Sequence, residues 1–182
     1  MSYYLRELSK EDLDCVNKWR NDPVIIANLG APFRFVNKEV DEVWLDAYTK
    51  SRANNVRLSI IDKSTDLPVG AVYLLGIDWV SRSGEFAIWI GEIEAQGKGC
   101  GSFASKAMLN HAFNDLNLNR VFLTVLPDNK KALNLYERIG FQLEGRPRQA
   151  VFKNGKFSDL IQMSILAEEF DKIRVACSPK TE

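Results

Sequence analysis

Hydrophobic positions along this chain recur with two periods, about two residues in some stretches and about 3.6 in others, and the two alternate. Tyr3 to Leu8 reads as a first strand. Ser9-x-x-Asp12 has the form of a capping box opening a helix, on which Leu13, Val16 and Trp19 make an apolar stripe. Asn37 caps a second helix with Val40, Val43, Trp44, Ala47 and Tyr48 at helical spacing, a pattern that reads Trp44 as a core residue. Between these helices, residues 28 to 36 hold Gly30, Pro32, Phe33 and Phe35, a loop with apolar side chains that can wall a pocket. Arg57 to Asp62, Val69 to Gly76 and Glu85 to Ile90 read as strands, separated by turn-like segments at residues 63–68 and 81–84.

A helix from Ser102 carries Ala104, Ala107, Met108, Ala112, Phe113 and Leu116, small residues that permit close packing on a sheet. His111 shares its face with Ala104, Ala107 and Met108, a setting that suits a packed histidine better than a catalytic one. Arg120 to Val125 gives another strand, followed by a helix that Gly140 ends. Phe141 to Phe152 and Lys156 to Leu166 flank Asn154-Gly155, a strong hairpin signal, and Pro147 predicts an irregularity in the first of these strands. After Glu168 the sequence reads as a short helix and a loose tail ending in Cys177-Ser178-Pro179. The order, βααβββ then αβαββ, predicts an α/β chain of the α+β type with one domain over residues 1–168 and a tail over 169–182.

Composition narrows the function classes. At 182 residues the chain buries roughly 70% of its unfolded surface around one core. Lys+Arg and Asp+Glu are both 24 and well mixed, which points away from nucleic acid or an anionic membrane as partner. No apolar run approaches a bilayer span, and the start lacks the basic region and apolar core of a signal peptide, so the expected location is the cytoplasm. Three widely spaced cysteines (Cys15, Cys100, Cys177) argue against a disulfide framework, and with a single histidine no metal site is expected.

The most informative stretch is Gln96-Gly97-Lys98-Gly99-Cys100-Gly101-Ser102, set between the strand Phe86-Ala87-Ile88-Trp89-Ile90 and a helix. Its glycines let the backbone approach a ligand and adopt positive φ. The helix start adds unpaired N–H groups and the positive end of the peptide dipole, a combination that suits a pyrophosphate. Both the nucleotide P-loop and the dinucleotide G-x-G-x-x-G pattern fail on spacing. Q-x-x-G-x-G, at Gln96, Gly99 and Gly101, instead resembles the acetyl-CoA pyrophosphate motif of the GNAT superfamily of N-acetyltransferases. A second block, running from Asn129 through Ala132 and Tyr136 to Gly140-Phe141, resembles that family's N-x-x-A-x-x-x-Y-x-x-x-G-F signature. Trp19-Arg20-Asn21-Asp22-Pro23, Gly84-Glu85-Phe86 and Phe141 to Arg146 with Asn154-Gly155 are similar to the branch containing ribosomal-protein N-terminal acetyltransferases and spermidine acetyltransferases, with amino-sugar acetyltransferases nearby.

The resemblance implies the GNAT fold, a mixed, mostly antiparallel twisted sheet of about seven strands flanked by about four helices, and acetyl-CoA as co-substrate. It further implies that Gln96, Gly97, Lys98, Gly99, Cys100, Gly101 and Ser102 bind the pyrophosphate, with Cys100 giving a backbone contact and no thiol chemistry. Asn129 falls at the family position that bonds the pantetheine region, and Lys98 and Lys131 can add charge near the phosphates. The backbone of Ile88, Trp89 and Ile90 is expected to pair with the pantetheine arm and hold an oxyanion if that strand splays from its neighbour.

Tyr136 is expected to protonate the departing thiolate, although its apolar helix face suits a core tyrosine equally. Glu85 can act as base for an amine that is almost wholly protonated at pH 7, or it can be a strand-start carboxylate paired with Arg82 or Arg57. Phe33, Phe35 and Trp44 can line a compact acceptor pocket with cation–π contact. The acceptor is expected to be a small cationic amine, a polyamine or amino sugar ahead of a protein N-terminus, while a non-catalytic CoA-binding module and a homo-oligomer both stay open.

Overall fold

Alternation along the strands divides a seven-stranded sheet into two apolar faces, and the helices cover both. The computed structural model describes residues 2–177, with side chains through Ile173. In chain order the elements are β1 (Tyr3–Glu7), α1 (Leu13–Arg20, entered by a 3₁₀ turn at Lys10–Asp12), α2 (Pro23–Ala27), α3 (Lys38–Lys50), β2 (Val56–Asp62), β3 (Leu67–Asp78) and β4 (Ser83–Ile90). They continue with α4 (Cys100–Asn110, extended by a π turn at His111–Asp115), β5 (Arg120–Val125), α5 (Lys130–Ile139), β6 (Gln142–Gly145), β7 (Val151–Lys153), β8 (Lys156–Ser158), β9 (Ile161–Leu166) and α6 (Ala167–Cys177).

The sheet order is β1-β2-β3-β4-β5-β9-β6, and β4–β5 is its one parallel neighbour pair. β7 and β8 form a separate hairpin. On one face Val72, Leu74, Phe86, Val121 and Leu123 pack with Ala104, Met108 and Ala112 of α4, Tyr136 and Ile139 of α5, and Phe170 of α6. On the other, Leu13, Val16, Trp19, Ile25, Leu45 and Tyr48 form the layer of α1 to α3, joined by Trp44 and Trp89. Phe170 stacks on Phe113 at 5.4 Å, so the packed unit runs past residue 168 into α6; residues 178–182 of the expected tail lie outside the described residues. Among the described residues no helix is long and apolar enough to cross a membrane, and no cluster of three or more His, Cys, Asp or Glu is arranged to hold a metal.

Trp19-Arg20-Asn21-Asp22-Pro23 acts as a structural corner. Trp19 is buried, donates from Nε1 to Glu92 at 2.8 Å and meets Trp89 edge-on at 5.9 Å. Its ring fits because residue 91 is glycine: a Cβ there would lie 2.0 Å from the indole. Arg20 pairs with Asp41 of α3, and Asn21 exchanges hydrogen bonds with the Val36 backbone at 2.6 and 3.0 Å. Asp22 accepts from Val24 N at 2.8 Å, and Pro23 opens α2, a short helix not foreseen in the sequence.

Local signals hold at most element ends. Ser9 N donates to Asp12 at 3.0 Å, as the capping box predicts, and Asn37 accepts from Val40 N at 3.1 Å. Asn154 and Gly155 both have positive φ at the hairpin turn. The long strands expected around that turn are interrupted, since pairing of β6 stops at Gly145 ahead of Pro147. The apolar stripe expected on α3 is rotated. Val40 and Val43 are exposed, and the buried side is Asp41, Leu45 and Tyr48, because Asn17 and Arg20 satisfy the Asp41 carboxylate inside the layer. α4 begins at Cys100, two residues before the expected Ser102, with Gly99 left-handed at φ 83° as its cap.

Candidate active site

The feature that organises the site is a parting of two strands. β4 and β5 pair only through Ser83↔Arg120, Gly84↔Val121 and Glu85↔Phe122. Beyond that point β4 stays with β3 as far as Gly70↔Ile90, and β5 stays with β9 as far as Val125↔Ile161. The sheet is therefore open between the ends of β4 and β5, and residues 86–90 of β4, Ile88, Trp89 and Ile90 included, have no strand partner on that edge. A free strand edge of this kind can pair with an extended ligand.

The glycine loop sits at the end of that edge. The Gln96 amide donates to Ile90 O at 3.1 Å, tying the loop back onto β4. Gly97 and Gly99 have φ of 75° and 83°, and a Cβ at either would meet no atom within 4 Å, so the loop's outer side is open where the first amides of α4 emerge. Gly101 works inward instead, since its Cβ would lie 3.2 Å from Leu135 of α5. Lys98 and Lys131 are exposed, and Ser102 is half-buried in the first turn of α4. Cys100 is buried, and desolvation pushes its thiol up to about 12, which leaves it protonated and unreactive.

Tyr136 comes to the opening from the α4–α5 side. Its ring meets Phe86 edge-on at 6.1 Å and Phe141 at 5.7 Å, and burial pushes its phenol up to about 12. Its hydroxyl makes no hydrogen bond among the described residues. Glu85 lies at the last paired position before the strands part. By alternation it shares the sheet face of Ala87 and Trp89, opposite to Phe86. It forms no ion pair among the described residues: Arg82 is bonded to Asn117 at 2.7 and 2.8 Å, and Arg57 is enclosed by aromatic rings. The pairings of Glu85 with Arg82 or Arg57 expected from sequence are thus both absent, and a buried phenol and a free carboxylate lie on opposite faces at the opening.

Two side chains hold the loop over the α1–α3 side. Asn129 caps α5 by accepting from Ala132 N at 3.1 Å, while its Nδ2 donates to Asn28 O at 3.0 Å. Lys153 of the hairpin donates to the carbonyls of Ile26 at 2.5 Å, Ala31 at 2.9 Å and Leu29. The segment after α2 is thereby fastened to the start of α5 and to β7. Of the three acceptor-pocket candidates, Trp44 lies over the Arg57 guanidinium at 4.9 Å, whereas Phe33 and Phe35 meet each other edge-on at 5.1 Å and Phe35 is 90% exposed. His111 pairs with Asp115 at 2.7 Å in the π turn, a contact within one helix. Tyr73 and Lys153 were not singled out from sequence, and Arg57 was named there only as a pairing partner for Glu85. Strand alternation does put Arg57 on the face away from Leu58 and Ile60, but nothing local tells that its charge is left unpaired there.

A parallel pair that opens beside a glycine-capped helix, with a tyrosine at the gap, defines an acyl-CoA-using transferase, and residues 3–142 match the Acetyltransferase (GNAT) domain family. The chain belongs to that family, and it is an acetyl-CoA-dependent N-acetyltransferase. It is 32% identical over 167 residues to spermidine N(1)-acetyltransferase of Vibrio cholerae, covering 91% of this chain and 94% of that protein. It is 30% identical over 172 residues to spermidine N(1)-acetyltransferase of Escherichia coli K12, covering 93% and 88%. Over 102 residues (56% of this chain, 55% of that protein) it is 36% identical to a putative ribosomal N-acetyltransferase of Bacillus subtilis, YdaF. The fold superposes on the crystal structure of the Vibrio cholerae spermidine N-acetyltransferase in complex with CoA and spermine with a TM-score of 0.86 at 29% identity, covering 92% of this chain and 97% of that one.

Proposed function

We propose that this enzyme acetylates a small primary amine that enters from the α1–α3 side of the sheet and reacts at the opening between β4 and β5. The observation that carries the reading is the end of β4–β5 pairing at Glu85↔Phe122, which leaves a gap between Tyr136 on one face and Glu85 on the other. The donor supplies an acetyl thioester. The amides at the start of α4, from Lys98 to Ser102, take its pyrophosphate, with Gln96 holding the loop in place, Lys98 and Lys131 adding charge near the phosphates and Asn129 at the pantetheine region. Glu85 draws the proton from the ammonium of the acceptor, directly or through water. Backbone N–H groups of residues 88–90 hold the negative charge that grows on the carbonyl oxygen. Tyr136 gives its proton to the departing sulfur, and burial keeps that proton in place across the working pH range.

The loop geometry yields a direct check. Gly99→Val forces a β-branched residue to φ near 83°, a strain of about 1–3 kcal/mol that the loop relieves by moving. The expected result is a KM for acetyl-CoA raised about 10- to 100-fold, with the thermal midpoint little changed. Unaltered acetyl-CoA affinity in the folded variant would remove the pyrophosphate role of this loop.

Similarity along nearly the full length to spermidine acetyltransferases supports a polyamine as the first acceptor to test. A second reading, an amino sugar or another amine bearing oxygen groups, is favoured by one feature of the acceptor side: the guanidinium of Arg57, which has no carboxylate partner. A protein N-terminus is the third, supported by the likeness to YdaF over about half of each chain. Release of the CoA thiol, followed with spermidine, glucosamine and Ala- or Ser-starting peptides in parallel, ranks them. Turnover with either small amine at least tenfold above the peptides is the expected result, and preferred peptide acetylation would overturn it.

A further inference from the structure

Arg57 is a charge that the protein does not balance. It stands in β2 on the face covered by α1 to α3, directly across from Tyr73 of β3, which in turn faces Ala87 of β4. Its guanidinium carbon lies 4.9 Å from the ring centre of Trp44, 4.8 Å from Tyr73 and 5.5 Å from Tyr48, and its Nε is buried with no hydrogen-bond partner. The nearby carboxylates are committed elsewhere. Asp41 is held by Arg20 and Asn17, and Glu7 by Arg52 at 2.8 Å and the Tyr48 hydroxyl at 3.2 Å. Desolvation pushes the Arg57 pKa down, against the pull of the Tyr73 and Tyr48 phenols. Two residues along β4 from Ala87, on the same sheet face, Trp89 Nε1 is also buried without a partner. Arg20 adds a second guanidinium 5.8 Å from the Trp44 ring centre, its charge paired with Asp41.

Glu85 is the opposite case. It forms no ion pair among the described residues, lies on the same sheet face, and sits two strands and two residues from Arg57. Strand spacing and rise put the two Cα atoms about 12 Å apart, a gap that the two side chains narrow from both ends. A carboxylate and a guanidinium that are each unpaired, on one face and within reach of one compound, are complementary to a ligand with an ammonium at one end and an oxyanion at the other. The planar fork of arginine suits a carboxylate or a phosphate, and the rings of Trp44 and Tyr73 flank it while its Nε stays without a partner.

Deepening the acetyltransferase reading on which it rests, we infer that the preferred acceptor is an amine that also carries an oxyanion, seated with its amine at Glu85 and its oxyanion at Arg57. A linear polycation fits this surface less well, because its distal ammonium would approach the unbalanced charge of Arg57, which repels it.

Matched pairs of acceptors test the inference on the intact chain: glucosamine 6-phosphate against glucosamine for the phosphate, and 6-aminohexanoate against 1,6-diaminohexane for the carboxylate. The expected result is a kcat/KM at least tenfold higher for the oxyanion member of one or both pairs. Arg57→Gln should shrink that ratio at least tenfold, and Arg57→Lys should keep part of it. A measurement that needs no variant accompanies them: at saturating acetyl-CoA, which fills the anion site of the glycine loop, inorganic phosphate should inhibit wild-type enzyme competitively with the amine. Higher kcat/KM for the diamine and for spermidine, or equal loss for both members of each pair in Arg57→Gln, would overturn the inference and leave acetyl transfer standing. Absence of thioester turnover with every amine would instead overturn the acceptor reading beneath it.

Discussion

Tyr136→Phe is expected to lower kcat by about 10²- to 10⁴-fold while the KM for acetyl-CoA stays within about twofold, because a general acid acts in the transition state and contributes little to ground-state binding. The substitution removes one oxygen and keeps the ring. The contacts with Phe86 at 6.1 Å and Phe141 at 5.7 Å therefore persist, and the thermal midpoint should hardly move. That separates the two roles a buried tyrosine can play. A core tyrosine whose hydroxyl has no protein partner loses nothing when the hydroxyl is removed, so near-normal turnover in Tyr136→Phe would return the residue to packing alone. The direction of its pKa adds a second discriminator. With burial holding the phenol up to about 12, Tyr136 does not lose its proton below pH 10, so any alkaline fall of wild-type kcat below that point belongs to another group. The check is a steady-state comparison of the two enzymes from pH 6 to 10 with one good acceptor.

How much of this could be read from the chain depends on whether a residue's role is set locally. The glycine loop was legible because positive φ at positions 97 and 99 is a demand on the backbone itself. The same holds for Asn37, Asn129 and Asn154-Gly155, each of which answers to atoms within three residues. The α3 face was misread because Asp41 is buried on the strength of Arg20 and Asn17, residues 21 and 24 positions away, and a hydrophobic pattern assigns no carboxylate to a core. Lys153 is further still from local logic: its ammonium is spent on three carbonyls more than 120 positions upstream. Arg57 belongs with these, since only the assembled face reveals that Asp41 and Glu7 are already taken.

The fastening of the segment after α2 joins the two halves of the site. Asn129 caps the helix that bears Tyr136 and also bonds Asn28, so the start of α5 and the acceptor loop share one side chain. Lys153 holds the same loop from the hairpin, with Ile26, Leu29 and Ala31 as its partners. Anchored at Ile26, Asn28, Leu29 and Ala31, this segment is held against both the start of α5 and the hairpin.

Glu85→Gln is expected to lower kcat/KM for the amine by about 10²-fold at pH 7, the scale typical of a lost general base, and to approach wild type as the pH rises. The reasoning follows the proton. An alkylamine with a pKa near 10.4 offers about tenfold more neutral form for each unit of pH below that value. An enzyme that removes the proton itself is indifferent to this supply, and one without a base depends on it fully. The logarithm of kcat/KM for the variant should therefore climb with a slope near one from pH 7 to about pH 9, where the deficit closes, while wild type stays comparatively flat. Glutamine keeps the volume and hydrogen-bonding capacity of the side chain at the last paired position of β4 and β5, so the strands should part at the same point. A loss of equal size at every pH would assign Glu85 to holding the ammonium by charge, or to the strand junction, and would leave water as the base. Because the same carboxylate also attracts a cationic acceptor, the two contributions divide by parameter: the charge contribution appears in KM for the amine, and the proton contribution in the pH slope of kcat.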